Sequence, residues 1–262
     1  MGSFKEFSES ITKSQAWKSI FRHGAPNNAR NRVLVVLMNV FLHLHPIRMK
    51  KSGVRMSFTW CMGGLTFFLF LVETVTGVLL MFYYRPTADY AYMDIIALRE
   101  HVPIGIMREV HRWGAHAMVI TVWLHMFRVF LTGSYKPPRE FNWGVGVILL
   151  VLTLLLSFTG YLLPWDQLAI WAITVGSNMA RATPFLGHEG PGASLINSLM
   201  GFDVVHAGSD ARFALLAGRL VGEATLLRFY VLHCIFIPLV ASVLMAIHFW
   251  RVRKDGGISG PL

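Results

Sequence analysis

"HRWGAHAMVITVWLH", residues His111 to His125, decides how this chain is read. A histidine opens and closes a mostly apolar stretch. Imidazole is costly inside a hydrophobic segment unless it is satisfied, so two of them at this spacing need a reason. Fourteen residues advance an α-helix by ~21 Å and return the side chain to nearly the same face. The stretch therefore presents one ring near each edge of a bilayer core that is ~30 Å thick.

The composition supports a membrane setting. The 262 residues are 54% hydrophobic and only 15% charged, against about 25% charged in soluble domains. Four runs have membrane length: A, Phe58 to Tyr84; B, Val110 to Leu131; C, Trp143 to Pro164; D, Phe229 to Trp250. Aromatic residues (Trp60, Tyr83, Tyr84, Trp143, Trp165, Trp250) cluster at their ends, as interfacial belts do. The fold class read from this pattern is all-α, a four-helix transmembrane bundle with short surface helices. Residues 1–56 form an N-terminal cytoplasmic or interfacial extension, and residues 57–262 the bundle, with a long C–D connection over 166–228. The run Val33 to Pro46 is too short to cross and reads as an amphipathic helix on the membrane surface. Within the C–D connection, "LINSLMGF" and "ARFALLAGRLVGEATLL" read as amphipathic surface helices.

The net charge of +10 would suggest nucleic acid in a soluble protein; here it reads as orientation, with no nucleic-acid partner. Ten Lys and Arg precede run A, against Glu6 and Glu9. Lys136 and Arg139 lie between B and C, and Arg251, Arg253 and Lys254 follow D. Both termini and the B–C loop should then be cytoplasmic, in a multi-pass protein of a bacterial inner membrane or a thylakoid-type membrane. The N-terminus is polar and has no apolar core of a secretory signal. Cys61 and Cys234 are the two cysteines, and no CxxC occurs, which removes the usual zinc and dithiol motifs.

Run D repeats the histidine pattern with His233 and His248, fifteen residues apart. Runs B and D start on the same, outer side. His111 therefore pairs with His233 at outer depth, and His125 with His248 at inner depth. Facing imidazoles are suitable axial ligands for haem iron, and two of them fill both axial positions, which points to electron transfer. The alternative is four hydrogen-bonded interior histidines, in a transporter or structural membrane protein. Runs A and C carry glycines at the same rise: Gly63 and Gly77, Gly146 and Gly160. Glycine lets a flat macrocycle approach a helix backbone; small-residue helix packing is the plainer account. Arg108 and Arg112 flank His111, and Arg253 with Lys254 follow His248 near the inner surface. They suit haem propionates or an inner quinone site, or simply snorkel.

Longer motifs add a resemblance. "VHRWGAH", "LHMFRVFLTGSYKPPREFNW", "TGYLLPWDQLAIWA", "FYYRPT", "LLRFYVLH" and "HFWRVRKDGGISGPL" closely resemble the cytochrome b6 type, the four-helix split form of cytochrome b in quinol oxidoreductases of the b6f/bc family. The match runs from about Ser57 to Leu262. It implies two b haems, on His111 with His233 and on His125 with His248. It also implies a third haem, of c type, held by a single thioether to Cys61 in "WCMGGLTFF". The implied chemistry is quinol oxidation near the outer haem, with one electron passed to a Rieske iron–sulfur protein. The other electron crosses to reduce quinone at the inner side, coupled to proton translocation. Menaquinone, plastoquinone or ubiquinone would serve as the quinone. Other implied partners are a subunit IV-like C-terminal half of cytochrome b and a c-type cytochrome or plastocyanin-type acceptor, in a dimeric complex. The Pro-Glu-Trp-Tyr quinol-site motif belongs to the other half and is absent here, so Gly160, Pro164, Trp165 and Asp166 would line only part of the outer site. The competing assignment is a di-haem anchor for a dehydrogenase or hydrogenase, which leaves "TGYLLPWD", "GISGPL" and Cys61 without explanation.

The chain departs from the family in its N-terminal extension and in a longer C–D segment. His188 and His206 lie there and read as non-metal residues. Cys234 and His116 read as structural. Glu73 stands in mid-helix A where the plant form has glutamine. It is expected to hydrogen-bond within the bundle, or else to assist proton release near quinol.

Overall fold

The computed structural model describes residues 2–20, 27–37, 51, 55–101 and 103–258, and every regular element among them is helical. Three helices come first: α1 Gly2–Lys13, α2 Gln15–Ile20 and α3 Ala29–Leu37. A short α4, Met56–Thr59, leads into α5, Met62–Met81. Next come α6 Ala91–Glu100, α7 Ile104–Leu131 and α8 Glu140–Leu162. The connection that follows holds α9 Gln167–Ala180, α10 Ala193–Met200 and α11 Ala211–Leu216. The last segment is α12 Glu223–Val231, a π-helical turn Leu232–Phe236, and α13 Ile237–Lys254.

Four of these segments are long and apolar enough to span a bilayer: Met62–Met81, Ile104–Leu131, Glu140–Leu162 and the continuous Glu223–Lys254. They are the expected runs A to D. Two begin earlier than hydrophobicity alone placed them. α7 starts at Ile104 rather than Val110, just after Pro103, a residue that suits a helix start because its missing N–H is not needed there. The last span starts at Glu223 rather than Phe229. Phe68, Val75, Phe127, Phe130 and Leu239 on the spans are exposed in the isolated chain. Such apolar side chains suit hydrocarbon rather than water.

The surface-helix readings met mixed outcomes. α10 contains "LINSLM" as expected. "ARFALLAGRLVGEATLL" is not one helix: α11 ends at Ala217, which takes a left-handed φ of 61°, and a new helix begins after Gly222. Of the run Val33 to Pro46, only Val33–Leu37 is described, in α3. The sequence reading did not specify the helices α6 and α9 on the two connections.

The π turn explains the odd spacing in the last span. Pro238 lacks an N–H, so it cannot bond the carbonyl four residues back, and its ring crowds that carbonyl. The Ile237 N–H bonds Leu232, five residues back. A π turn takes up one residue more than an α turn. The fifteen-residue spacing of His233 and His248 thereby repeats the fourteen-residue spacing of His111 and His125.

The chain divides into two compact units. One comprises Met1–Phe68, Met118–Leu152 and Val240–Leu262. In it, Arg251 is fully buried and donates to the Ser19 and Ile20 carbonyls. Ser19 Oγ accepts from the Phe141 N–H at 3.0 Å, and Gln15 donates to Glu140 at 2.8 Å. α2 is thus bound to the start of α8 and the end of α13. Thr66 donates to Thr121 at 3.0 Å, and Phe67 meets Phe249 edge-on.

The other unit comprises Leu69–Ala117 and Thr153–Leu239. Its apolar centre is Tyr84, Ala91, Leu162, Ile173, Leu216, Leu226 and Phe229. Tyr84 donates its hydroxyl to the Leu163 carbonyl at 2.6 Å. Asp166 caps α9 through the Ala169 N–H, and Asp210 caps α11 through the Phe213 N–H while binding His188 Nδ1 at 2.5 Å. The buried Asp94 accepts from the Arg85 side chain at 2.6 and 3.0 Å and from its backbone N–H at 2.9 Å.

These bonds from Arg85 hold the Asp94 carboxyl below the usual carboxylate range. A pKa depressed by folding stabilises fully above the unfolded value of ~3.9, and that support fades as pH falls through the folded value. We predict that Asp94→Asn lowers the thermal midpoint of the detergent-solubilised protein by a few degrees at neutral pH, roughly the shift of one lost buried contact. The deficit relative to the parent should shrink as pH falls below ~4. A deficit that stays constant over that range would remove the electrostatic account.

Candidate functional site

Each unit contains one pair of facing imidazoles. His111 on α7 and His233 in the π turn have ring centroids 6.2 Å apart with planes at 82°. His125 on α7 and His248 on α13 stand at 6.4 Å and 78°. These separations suit two rings binding one metal from opposite sides. A metal–imidazole bond is ~2 Å, and each ring centre lies roughly 1 Å behind its nitrogen, which adds up to about 6 Å.

Each of the four spaced glycines lies beside a histidine ring. A Cβ built on Gly63 would lie 3.0 Å from His125 Cε1, and one on Gly77 would lie 3.2 Å from His111 Cε1. At Gly160 the distance to His233 Cε1 is 2.6 Å, and at Gly146 the distance to His248 Cε1 is 3.8 Å. Each ring therefore packs on the backbone of α5 or α8 where that backbone has no side chain. Gly160 leaves no room for one, and at Gly63 and Gly77 the ring would have to give way by a few tenths of an ångström. Only Gly146 has ordinary contact distance.

Hydrogen bonds orient the pair His111 and His233. Thr76 and Thr159 each stand directly before the spaced glycine. Each spends its hydroxyl proton on its own helix: Thr76 on Val72 at 2.7 Å, Thr159 on Leu155 at 2.8 Å. Their oxygens are left to accept. His111 Nδ1 donates to Thr76 Oγ1 at 2.9 Å and meets Glu73 Oε2 at 3.0 Å. His233 Nδ1 donates to the Leu156 carbonyl at 3.0 Å, with Thr159 Oγ1 at 3.3 Å. With the proton on Nδ1, the Nε2 lone pair of each ring is free for a ligand. In the other pair, Met62 and Val145 stand where the threonines would be. There His248 faces the Asn142 backbone, four residues before Gly146, without reaching hydrogen-bond geometry.

Other expected residues are positioned less decisively. Arg108 and Arg112 both pair with Glu109 on their own helix, at 2.9 and 2.5 Å. Lys254 lies over the Trp250 ring. Cys61 is exposed, and it and Trp60 take left-handed φ values of 51° and 49° just ahead of α5. It stands two residues before the glycine that touches His125. His116 Nδ1 meets the carbonyl of Arg112 on its own helix, and His188 serves Asp210. Among the described residues, no group of three or more His, Cys, Asp or Glu forms a metal cluster. The sequence reading missed Thr76 and Thr159, although "VTG" and "FTG" at matched positions were a usable signal. It also missed the contact of Glu73 with His111.

Four spanning helices with facing imidazole pairs in their interior define a multi-pass integral membrane protein of the electron-transport class. A family model described as "Cytochrome b/b6/petB" matches residues 47–213. The chain belongs to the cytochrome b/b6 family. It is 41% identical over 204 residues to the cytochrome b6 of Gracilaria tenuistipitata var. liui, covering 78% of this chain and 85% of that one. The figures for cytochrome b6 of Synechococcus elongatus are 40% identity with the same coverage. A solved chain of a hyperthermophilic respiratory Complex III superposes with a TM-score of 0.65 at 26% identity, over 89% of this chain and 55% of that one. This chain thus spans about half the length of that solved chain. Family membership implies haem b, and the ring separations and the glycine cradles fit it.

The cradle distances order a set of variants. We predict that Gly160→Ala loses the most b haem, because its Cβ meets the His233 ring well inside contact distance and overpacking costs ~1–3 kcal/mol. Gly63→Ala and Gly77→Ala should lose less, and Gly146→Ala none that a pyridine haemochrome assay resolves. Equal losses from all four would detach the glycines from the rings.

Proposed function

We propose that this chain is the cytochrome b subunit of a quinol:cytochrome c, or plastocyanin-type, oxidoreductase, and that it holds two b haems on the pairs His111 with His233 and His125 with His248. The observation that carries the reading is the pair of imidazole separations, 6.2 and 6.4 Å, inside membrane-length helices. A haem held by both imidazoles of a pair would supply a one-electron carrier there.

The residues of the chain do the rest. Thr76 and Leu156 accept the Nδ1 protons of His111 and His233, with the Glu73 carboxylate beside the first, which leaves Nε2 of each ring for a ligand. Gly63, Gly77, Gly146 and Gly160 let the rings sit against helix backbone. Arg108, Arg112, Arg253 and Lys254 supply positive charge beside the histidines for propionates or an anionic quinone species. Cys61, exposed and two residues from Gly63, would hold haem c by a single thioether near the inner quinone site. Gly160, Pro164, Trp165 and Asp166 contribute one wall of the outer quinol site. The missing wall would come from a subunit IV-like partner, and a Rieske protein and a c-type cytochrome would take the electrons. Both termini would lie on the cytoplasmic side, as the basic residues of the N-terminal region and the end of α13 favour.

Two measurements test this reading. Replacing His125 or His248 with Ala should lower the pyridine haemochrome value from two b haems per chain to one; a full complement in either variant defeats the assignment. After denaturing electrophoresis, the parent should stain for covalent haem and Cys61→Ser should not. A stain that persists in the variant would move the thioether elsewhere.

A further inference from the structure

The two ligands of the His111 and His233 pair are supported differently, and the difference lies in one side chain. On α8, the residue four before the glycine is Leu156, and its backbone carbonyl accepts from His233 Nδ1 at 3.0 Å. On α5, the residue four before the glycine is Glu73. There Thr76 Oγ1 takes the Nδ1 proton, and the Glu73 side chain adds a carboxylate beside the same nitrogen, with Oε2 3.0 Å from His111 Nδ1. Both carboxylate and ring are mostly buried, at 14% and 23% side-chain exposure. The second oxygen, Oε1, is buried with no hydrogen-bond partner.

The surrounding sequence accommodates this carboxylate. Gly114, three residues after His111 on α7, faces it. A Cβ on Gly114 would fall on Glu73 Oε1, closer than any side chain tolerates. A carboxylate in a membrane span is expensive and marks function by default. Its alignment on a ring nitrogen, in a space opened by a glycine of the facing helix, gives it a specific task.

We infer that Glu73 is a positioning residue for the His111 ligand, and that its carboxylate lowers the reduction potential of the haem held by His111 and His233. The inference rests on the haem assignment above. A carboxylate held against the distal ring N–H of a metal-bound histidine stabilises that N–H electrostatically and raises the basicity of the ring. A more basic axial imidazole favours the ferric state over the ferrous, as does negative charge nearby in a medium of low dielectric. Among the described residues, no carboxylate pairs with His125 or His248. The effect therefore falls on one of the two haems. A lower potential at the His111 and His233 haem makes electron passage to the other haem downhill.

The test uses the intact purified complex, with Glu73→Gln and Gly114→Ala. Glutamine keeps an oxygen that can accept the Nδ1 proton and removes the charge. Alanine at 114 leaves the carboxylate and displaces it from the ring. A spectroelectrochemical titration of the b-haem α band, with low-temperature EPR of the oxidised haems, reads both. Expected is a rise of one b-haem midpoint by about tenfold in the reduction constant, ~59 mV for a one-electron couple. The second midpoint should not move, and one low-spin EPR signal should shift. Both haems retained with both midpoints and both signals unmoved in the two variants would overturn the inference. If Glu73→Gln loses haem, Gly114→Ala decides alone. A parent complex without b haem on this chain would instead defeat the underlying assignment, so the two failures are distinguishable.

Discussion

Everything in this bundle depends on how an imidazole is kept inside a membrane helix. A buried ring with an unsatisfied nitrogen costs several kcal/mol, roughly what an amide pays in an apolar medium. The solution on the His111 and His233 side has two parts. A glycine on the neighbouring helix lets the ring lie against backbone, and the residues just before that glycine receive the Nδ1 proton. A threonine that has already given its own proton to its helix can only accept, so it cannot compete for the wrong ring nitrogen. Orientation and solvation of the ring are achieved by the same few atoms, which leaves Nε2 for a metal.

The two sites share the glycine and differ in the rest. Where Thr76 and Thr159 precede Gly77 and Gly160, Met62 and Val145 precede Gly63 and Gly146. His248 approaches the Asn142 backbone loosely, and Gly146 leaves the widest clearance of the four cradles. One pair is thus polar-supported and tightly seated; the other is held more by packing. Iron held in the first setting would meet more electron-rich axial nitrogens than in the second. The asymmetry is written in helices α5 and α8, which supply no ligand.

Much of this was legible in the sequence, for a physical reason. Membrane spans are long, uniformly apolar and spaced by charge, so runs A to D could be read directly. Histidines and glycines fourteen residues apart follow helix geometry with no need of tertiary information; the fifteen-residue spacing fits only with the π turn at Leu232–Phe236. What stayed hidden depended on contacts between helices. Glu73 was expected to hydrogen-bond within the bundle, but its partner needed the facing position of Gly114 to be known. The threonines were passed over because a hydroxyl in a membrane helix usually bonds only its own backbone; here that bond is the precondition of the second one. The ends of α11 and α12 were misread because Ala217 takes a left-handed turn, a conformation its residue type does not announce.

The N-terminal extension is less detached than its polar sequence implied. Arg251 lies three residues after His248 and is fully buried, with its guanidinium on the carbonyls that end α2. Removing carbonyl partners from a buried guanidinium is costly, because the charge cannot be rehydrated in place. α2 therefore secures the end of α13 and, through Ser19 and Gln15, the start of α8. Those two helices carry His248 and Gly146. A segment that precedes the region matched by the family model is in this way tied to the helices that form the looser of the two sites, the one with the least hydrogen-bonded support of its own.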